Sequence, residues 1–144
     1  LNVLVGIWAY NAHYIVDVVK ERGLRDKTTI VVFDAAPDAI ADLAAGNIDA
    51  MVVQNPYSMG YLGTRLMKAL VEDDHNTIHE MLPAYDPKTH EFVGENNDVY
   101  TTGLRVVHPD GDTPLKKEMF AEGTEFLSLG EFKKWLAEHK LTGS

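Results

Sequence analysis

The sequence contains no cysteine, which removes disulfides and thiolate metal sites while leaving the redox compartment open. It is also short of positive charge. Thirteen basic residues against 22 acidic ones leave a net charge of −9, which argues against a nucleic-acid backbone or an anionic membrane as the main partner. No apolar run approaches the ~20 residues of a membrane-spanning helix. No glycine-rich phosphate loop follows a strand-like run, and there is neither a Ser-centred nucleophile elbow nor an HExxH pattern. Nothing in the residues points to catalysis, a cofactor or a bound metal. The chain opens at Leu1, already inside a strand-like run and without a signal-peptide pattern. The expectation is a fragment of a longer protein, for which a missing signal carries no weight.

What is present fits a single α/β domain. At 144 residues, 45% hydrophobic and 24% charged, the chain can bury a sizeable core. Val3-Leu4-Val5-Gly6-Ile7-Trp8 reads as a first buried strand and Ala9-Tyr10-Asn11 as a short polar turn. Ile15, Val18, Val19 and Arg22 then fall at helical spacing up to Gly23. Residues 29–34 form a second strand. Pro37 opens the next helix, faced by Ala39, Ile40 and Leu43 and stopped at Gly46. Residues 48–54 make a third strand. Short connections in this β-α-β-α-β order imply parallel strands.

A longer helix follows over residues 58–72, with Met59, Leu62, Leu66, Ala69 and Leu70 in one stripe and Gly60 and Gly63 leaving it bare. Residues 73–98 read as a loop-rich excursion with one short strand, and residues 99–107 as a strand. Residues 108–144 read as a helical extension. Within it Ser128 and Glu131 form a capping box with Leu127 and Phe132 as the staple, and Phe132, Trp135 and Leu136 dock the last helix.

Two strand-like runs end in a side chain that can hydrogen-bond: Val31-Val32-Phe33 in Asp34, and Met51-Val52-Val53 in Gln54. In an open α/β sheet such ends line the ligand crevice. A carboxylate accepts bonds from neighbouring hydroxyls and an amide offers a donor and an acceptor, so the pair suits a polyol. Trp8 or Tyr10 can set a flat apolar face against a sugar ring. Each has a plainer reading: Asp34 as an Asx-turn or helix cap, Trp8 and Tyr10 as core or interface residues. His75, His79 and Glu80 have metal-like spacing without a third ligand and read as solvated surface. Asp34 and Asp38 lack the acidic pair at the first strand end that a magnesium-dependent phosphoacceptor needs.

The run Val31-Val32-Phe33-Asp34, its spacing to Val53-Gln54, and Asn55-Pro56-Tyr57-Ser58-Met59-Gly60-Tyr61 together resemble the carboxyl-terminal half of the type 1 periplasmic sugar-binding proteins, the ribose-binding and repressor-related family of ABC-transporter receptors. Ile7-Trp8-Ala9-Tyr10-Asn11 resembles the family's strand end bearing a ligand-binding asparagine, and Thr102-Gly103-Leu104-Arg105-Val106-Val107 its last strand near the hinge. Val32 stands where the family has glycine, and the tail from Pro109 has no counterpart in its shorter members.

The resemblance implies a parallel Rossmann-like sheet, mainly the carboxyl-terminal lobe of a two-lobe protein. Residues 1–54 would supply that lobe, residues 57–98 a segment returning to the other lobe, and residues 99–107 the final hinge strand. It implies Asp34, Gln54 and Asn11 as ligand-binding residues, Asn11 otherwise being a helix N-cap. The implied function is binding of a small sugar as the non-enzymatic solute receptor of an ABC-type importer, outside the cytoplasm. Its partners would be the sugar, a membrane permease and the absent lobe, with no nucleic acid contacted by this chain. Without that lobe, the helix 58–72 is expected to self-associate or to fold onto the chain's own sheet. The alternatives are the effector-binding domain of a repressor-type transcription factor and a small α/β enzyme using Asp34.

Overall fold

Five short strands rich in β-branched residues make the central sheet of the computed structural model, which describes residues 2–94 and 98–143. Strands β1 (Val3–Gly6), β2 (Thr29–Phe33) and β3 (Ala50–Val53) are parallel, with Val3 opposite Thr29 and Val31 opposite Ala50. They are linked by α1 (Ala9–Glu21) and α2 (Pro37–Ala44), the crossovers expected from the sequence.

The chain divides into two compact units, Asn55–Thr102 and the remainder. On returning, it runs as β6 (Arg105–His108) antiparallel to β3, with Val53 opposite Arg105. The reversal follows from connectivity: the chain leaves β3 at its carboxyl end and re-enters the sheet at that same end. The strand expected over residues 99–107 is therefore shorter and shifted, and Val99, Tyr100 and Leu104 lie exposed ahead of it.

The tail is not simply helical. Glu125–Ser128 forms β7, parallel to β6 and on the outer edge, before α5 (Leu129–Glu138). The sheet order is β1-β2-β3-β6-β7. Helices α1, α2 and α5 contribute Val16, Leu43 and Phe132 to a core with Ile30, Met51 and Val107 from the strands. On the opposite face Ala50 and Val106 are buried whereas Val3 and Val5 at the edge are exposed.

The start of α5 forms as expected. Ser128 Oγ accepts from the Glu131 N–H at 3.3 Å and Glu131 Oε2 accepts from the Ser128 N–H at 2.8 Å. The bond from the Ser128 backbone, then that from its side chain, hold the Glu131 carboxyl below its ordinary value. A carboxyl depressed in the folded state stabilises above its unfolded pKa, and the contribution disappears as pH falls through the folded one. Glu131→Gln is therefore expected to lower stability slightly at neutral pH and to match the parent in acid below the ordinary glutamate range. Urea unfolding at several pH values checks this; a gap that persists in acid would assign the effect to packing.

In the second unit, Asn55 caps α3 (Pro56–Val71) by accepting from the Ser58 N–H at 3.0 Å. The polar stretch after it holds α4 (His75–Met81) and a hairpin of β4 (Tyr85–Asp86) and β5 (Glu91–Phe92). This helix differs from the loop expected there because His75, Asn76 and Thr77 are weak helix formers that carry little sequence signal; the start is carried by Asp74, whose carboxylate accepts from the Thr77 N–H at 3.1 Å and hydroxyl at 2.7 Å. The core here is Ala69, Ile78, Met81, Leu82 and Tyr85, with Leu62 and Leu66 packed on it. Within this unit α4 covers the middle of the α3 stripe. Met59 and Leu70 stay about half exposed.

Candidate functional site

The carboxyl ends of β1, β2 and β3 lie side by side, and each is followed within a few residues by a polar or aromatic group. Asp34 stands directly after β2 and Gln54 directly after β3. The Asp34 N–H continues the ladder to the Val52 carbonyl at 2.9 Å, so its backbone is anchored to the strand whose end carries Gln54. Asp34 has φ 67, a left-handed conformation that costs an L-residue energy and to which aspartate is among the better suited. Its side chain is half-buried, and that of Gln54 is exposed. Among the described residues no hydrogen bond occupies either side chain. Both keep their hydrogen-bonding capacity unspent within the described residues.

Residues after β1 are arranged differently from the expected polar turn. Ala9, Tyr10 and Asn11 are the first turn of α1, and Trp8 is its N-cap. Asn11 sits at the third helical position and its Oδ1 accepts from the Trp8 N–H at 2.9 Å, while the Asn11 N–H donates to the Trp8 carbonyl at 2.8 Å. It therefore closes the helix start from inside, not as the N-cap, and its amide NH2 has no hydrogen bond among the described residues. Gly6 permits this descent of α1 onto the strand end: a Cβ there would stand 3.0 Å from Asn11 Cβ and 3.1 Å from Ile15 Cδ1. Trp8 is 62% and Tyr10 63% exposed. Neither is a core residue, and both follow the end of β1, the strand beside the one whose end carries Asp34.

One charged residue at this end has no sequence signal that marks it. Arg105, opposite Val53, is only 6% exposed. Its Nε donates to Glu125 at 2.7 Å and its guanidinium lies 4.1 Å from the centre of the Trp135 ring, an arrangement that compensates a buried cation. The Glu125 partner lies twenty residues away, a spacing with no local sequence signal.

A wide concavity of about 560 Å³ lies at the opposite end of the sheet, bordered by Asn2, Arg25, Thr28, Thr29 and Asp49. Asp26 and Lys27 also line it, and two of its four charged residues, Arg25 and Asp49, are already engaged. Arg25 donates to the carbonyls of Gly46 and Thr28 at 2.8 and 2.7 Å and to Asp49 at 2.7 Å, and the other Asp49 oxygen accepts from the Ile30 N–H at 2.7 Å. This is a staple between the starts of β2 and β3. His75 and His79 likewise serve the fold of their unit, with one ring nitrogen of each bonded to the Tyr85 hydroxyl or carbonyl at 2.8 and 2.6 Å.

A family model described as the periplasmic binding protein domain matches residues 1–75. Among curated proteins none matches. Two similar solved structures are GanP, a glucose-galactose binding protein from Geobacillus stearothermophilus, and a carbohydrate transporter solute binding protein from Agrobacterium radiobacter in complex with D-arabinose. The first is 37% identical over 51% of this chain, with a TM-score of 0.49; the second is 28% identical over 50%, with a TM-score of 0.45. The matches span 26% and 24% of those two chains.

Proposed function

Because the chain belongs to the periplasmic binding protein domain family, we propose that it forms one wall of a cleft that binds a small sugar or polyol, as part of the solute receptor of an ABC-type importer. The observation that carries the reading is the pair of strand ends: Asp34 and Gln54, on adjacent parallel strands, with side chains that no described residue occupies. Asp34 accepts from two hydroxyls of the ligand and Gln54 donates to one oxygen and accepts from another. The Asn11 amide supplies a further donor, and Trp8 or Tyr10 an apolar face for the ring. The second lobe closes over the ligand and the closed form is what a membrane permease reads, outside the cytoplasm. In this reading residues 57–98 reach the second lobe, the exposed Met59 and Leu70 of α3 pack there, and the receptor carries out no chemistry on the sugar.

The test is titration calorimetry of the full-length receptor with D-glucose, D-galactose and D-arabinose. One of them, or a close stereoisomer, should bind with one-to-one stoichiometry. Asp34→Ala should weaken that ligand by about 1.5–3 kcal/mol, the range for hydrogen bonds to a charged group. A loss within error would reduce Asp34 to a turn former, and a catalysed change in the sugar would replace a receptor by an enzyme.

A further inference from the structure

The last described residues of the chain return to the loop that carries Asp34. Lys140 takes φ 56, its N–H donates to the Ala137 carbonyl at 3.1 Å, and the Leu141 N–H donates to the Leu136 carbonyl at 2.9 Å. This pair of bonds around a left-handed residue ends a helix and turns the chain away from its axis. The turn carries the tail to the β2–α2 connection. Gly143, one of the last described residues, is half-buried. A Cβ on it would overlap the carbonyl oxygen of Ala35 and stand 3.4 Å from Pro37 Cδ. A residue with a side chain does not fit without moving the backbone of that connection.

Ala35 is itself fully buried, directly after the left-handed Asp34. A strained conformation persists only where its surroundings over-determine it. On one side of Asp34 the restraint is its own N–H bond to Val52. On the other it is the packing of Ala35, and that packing includes the tail.

We propose that Leu141–Gly143 is a positioning segment for the binding loop, holding Asp34 in its left-handed conformation by close backbone contact of Gly143 with Ala35. Gly143 touches no ligand in this arrangement and acts through Asp34. The inference rests on the reading of Asp34 as a ligand-binding residue.

The experiment compares hydrogen exchange, followed by NMR on the whole 144-residue chain, with a chain ending at Lys140 and with Gly143→Val. In both variants the amides of Asp34, Ala35 and Ala36 should exchange about ten-fold faster or more, as for a local opening, while those of Ile30, Val32 and Leu136 keep their rates. Unchanged exchange at Asp34–Ala36 in the shortened chain overturns the proposal. So does uniform acceleration through β2 and α5, which would make the tail a general stabiliser. Calorimetry with D-galactose, D-glucose and D-arabinose on full-length receptors separates the two levels. If Asp34→Ala weakens binding but the tail variants change neither exchange nor affinity, the positioning role alone fails. If Asp34→Ala leaves binding untouched, the assignment of Asp34 fails and takes the tail's function with it.

Discussion

Phe132→Ala is expected to lower the free energy of unfolding by about 3–5 kcal/mol, the range for removing a large aromatic side chain from a closed core. Phe132 is fully buried in the cluster that also holds Leu43, Met51 and Val107, and its ring lies nearly parallel to that of Trp135 at 6.0 Å. It comes from the tail, yet it fills the space between the sheet and its helices. Truncation leaves a cavity that Leu129 and Leu136, themselves buried, cannot fill without leaving their own positions. Urea unfolding of the purified variant measures the loss. A change under about 1 kcal/mol would mean the tail is an appendage on a domain completed without it.

Asp49→Ala is expected to cost about 2–4 kcal/mol, from two unequal parts. The larger is the Ile30 N–H, buried in the core strand and bonded to Asp49 Oδ2 at 2.7 Å; leaving such a donor unpaired costs about 1–3 kcal/mol. The smaller is the ion pair with Arg25. Its side chains are 27% and 39% exposed, so solvent screening holds its share to about 1 kcal/mol. Arg25 retains the carbonyls of Gly46 and Thr28 and is not stranded. Asp49→Asn keeps an acceptor for Ile30 and should recover most of the loss. Equal destabilisation by both substitutions, read from the same unfolding curves, would show that charge rather than the acceptor matters.

The parts of the fold that sequence reveals are those fixed by local chemistry. β1, β2, β3, α1 and α2 appear as apolar runs and helical stripes closed by Gly23 and Gly46, and the Ser128–Glu131 box marks α5 directly. Where the same backbone device uses another residue it is silent: Asp73 and Lys140 take the left-handed conformation at helix ends without glycine to announce it. Pairings are harder still. That β6 runs against β3, or that Glu125–Ser128 adds a fifth strand, depends on contacts between distant segments, and four-residue strands carry too little alternation to choose a neighbour.

The candidate site divides along the same line. The strand-end placement of Asp34 and Gln54 is legible because a buried strand ends abruptly in a polar side chain. The role of Asn11 is not, since an asparagine that caps from the third helical position reads like one that caps from the first. The approach of Gly143 to Ala35 has no sequence signal, because it joins segments more than a hundred residues apart.

The pairing of Val53 with Arg105 sets an order on how the molecule assembles. β1, β2 and β3 join through short crossovers, whereas β6 can dock only once the chain between Asn55 and Thr102 has brought its ends together. The entropy of closing such a loop rises slowly, by about 0.6 kcal/mol per doubling of length, but it is spent before any contact of β6 or β7 offsets it. Contacts within α3 and α4 are local and shorten the effective loop when they form early. The amino-terminal half of the sheet is then expected to form the folding nucleus, with β6, β7 and α5 consolidating late. Substitutions in that late part, Phe132→Ala among them, are expected to act mainly by raising the rate of unfolding and to leave the rate of folding nearly unchanged, which stopped-flow folding and unfolding in urea checks.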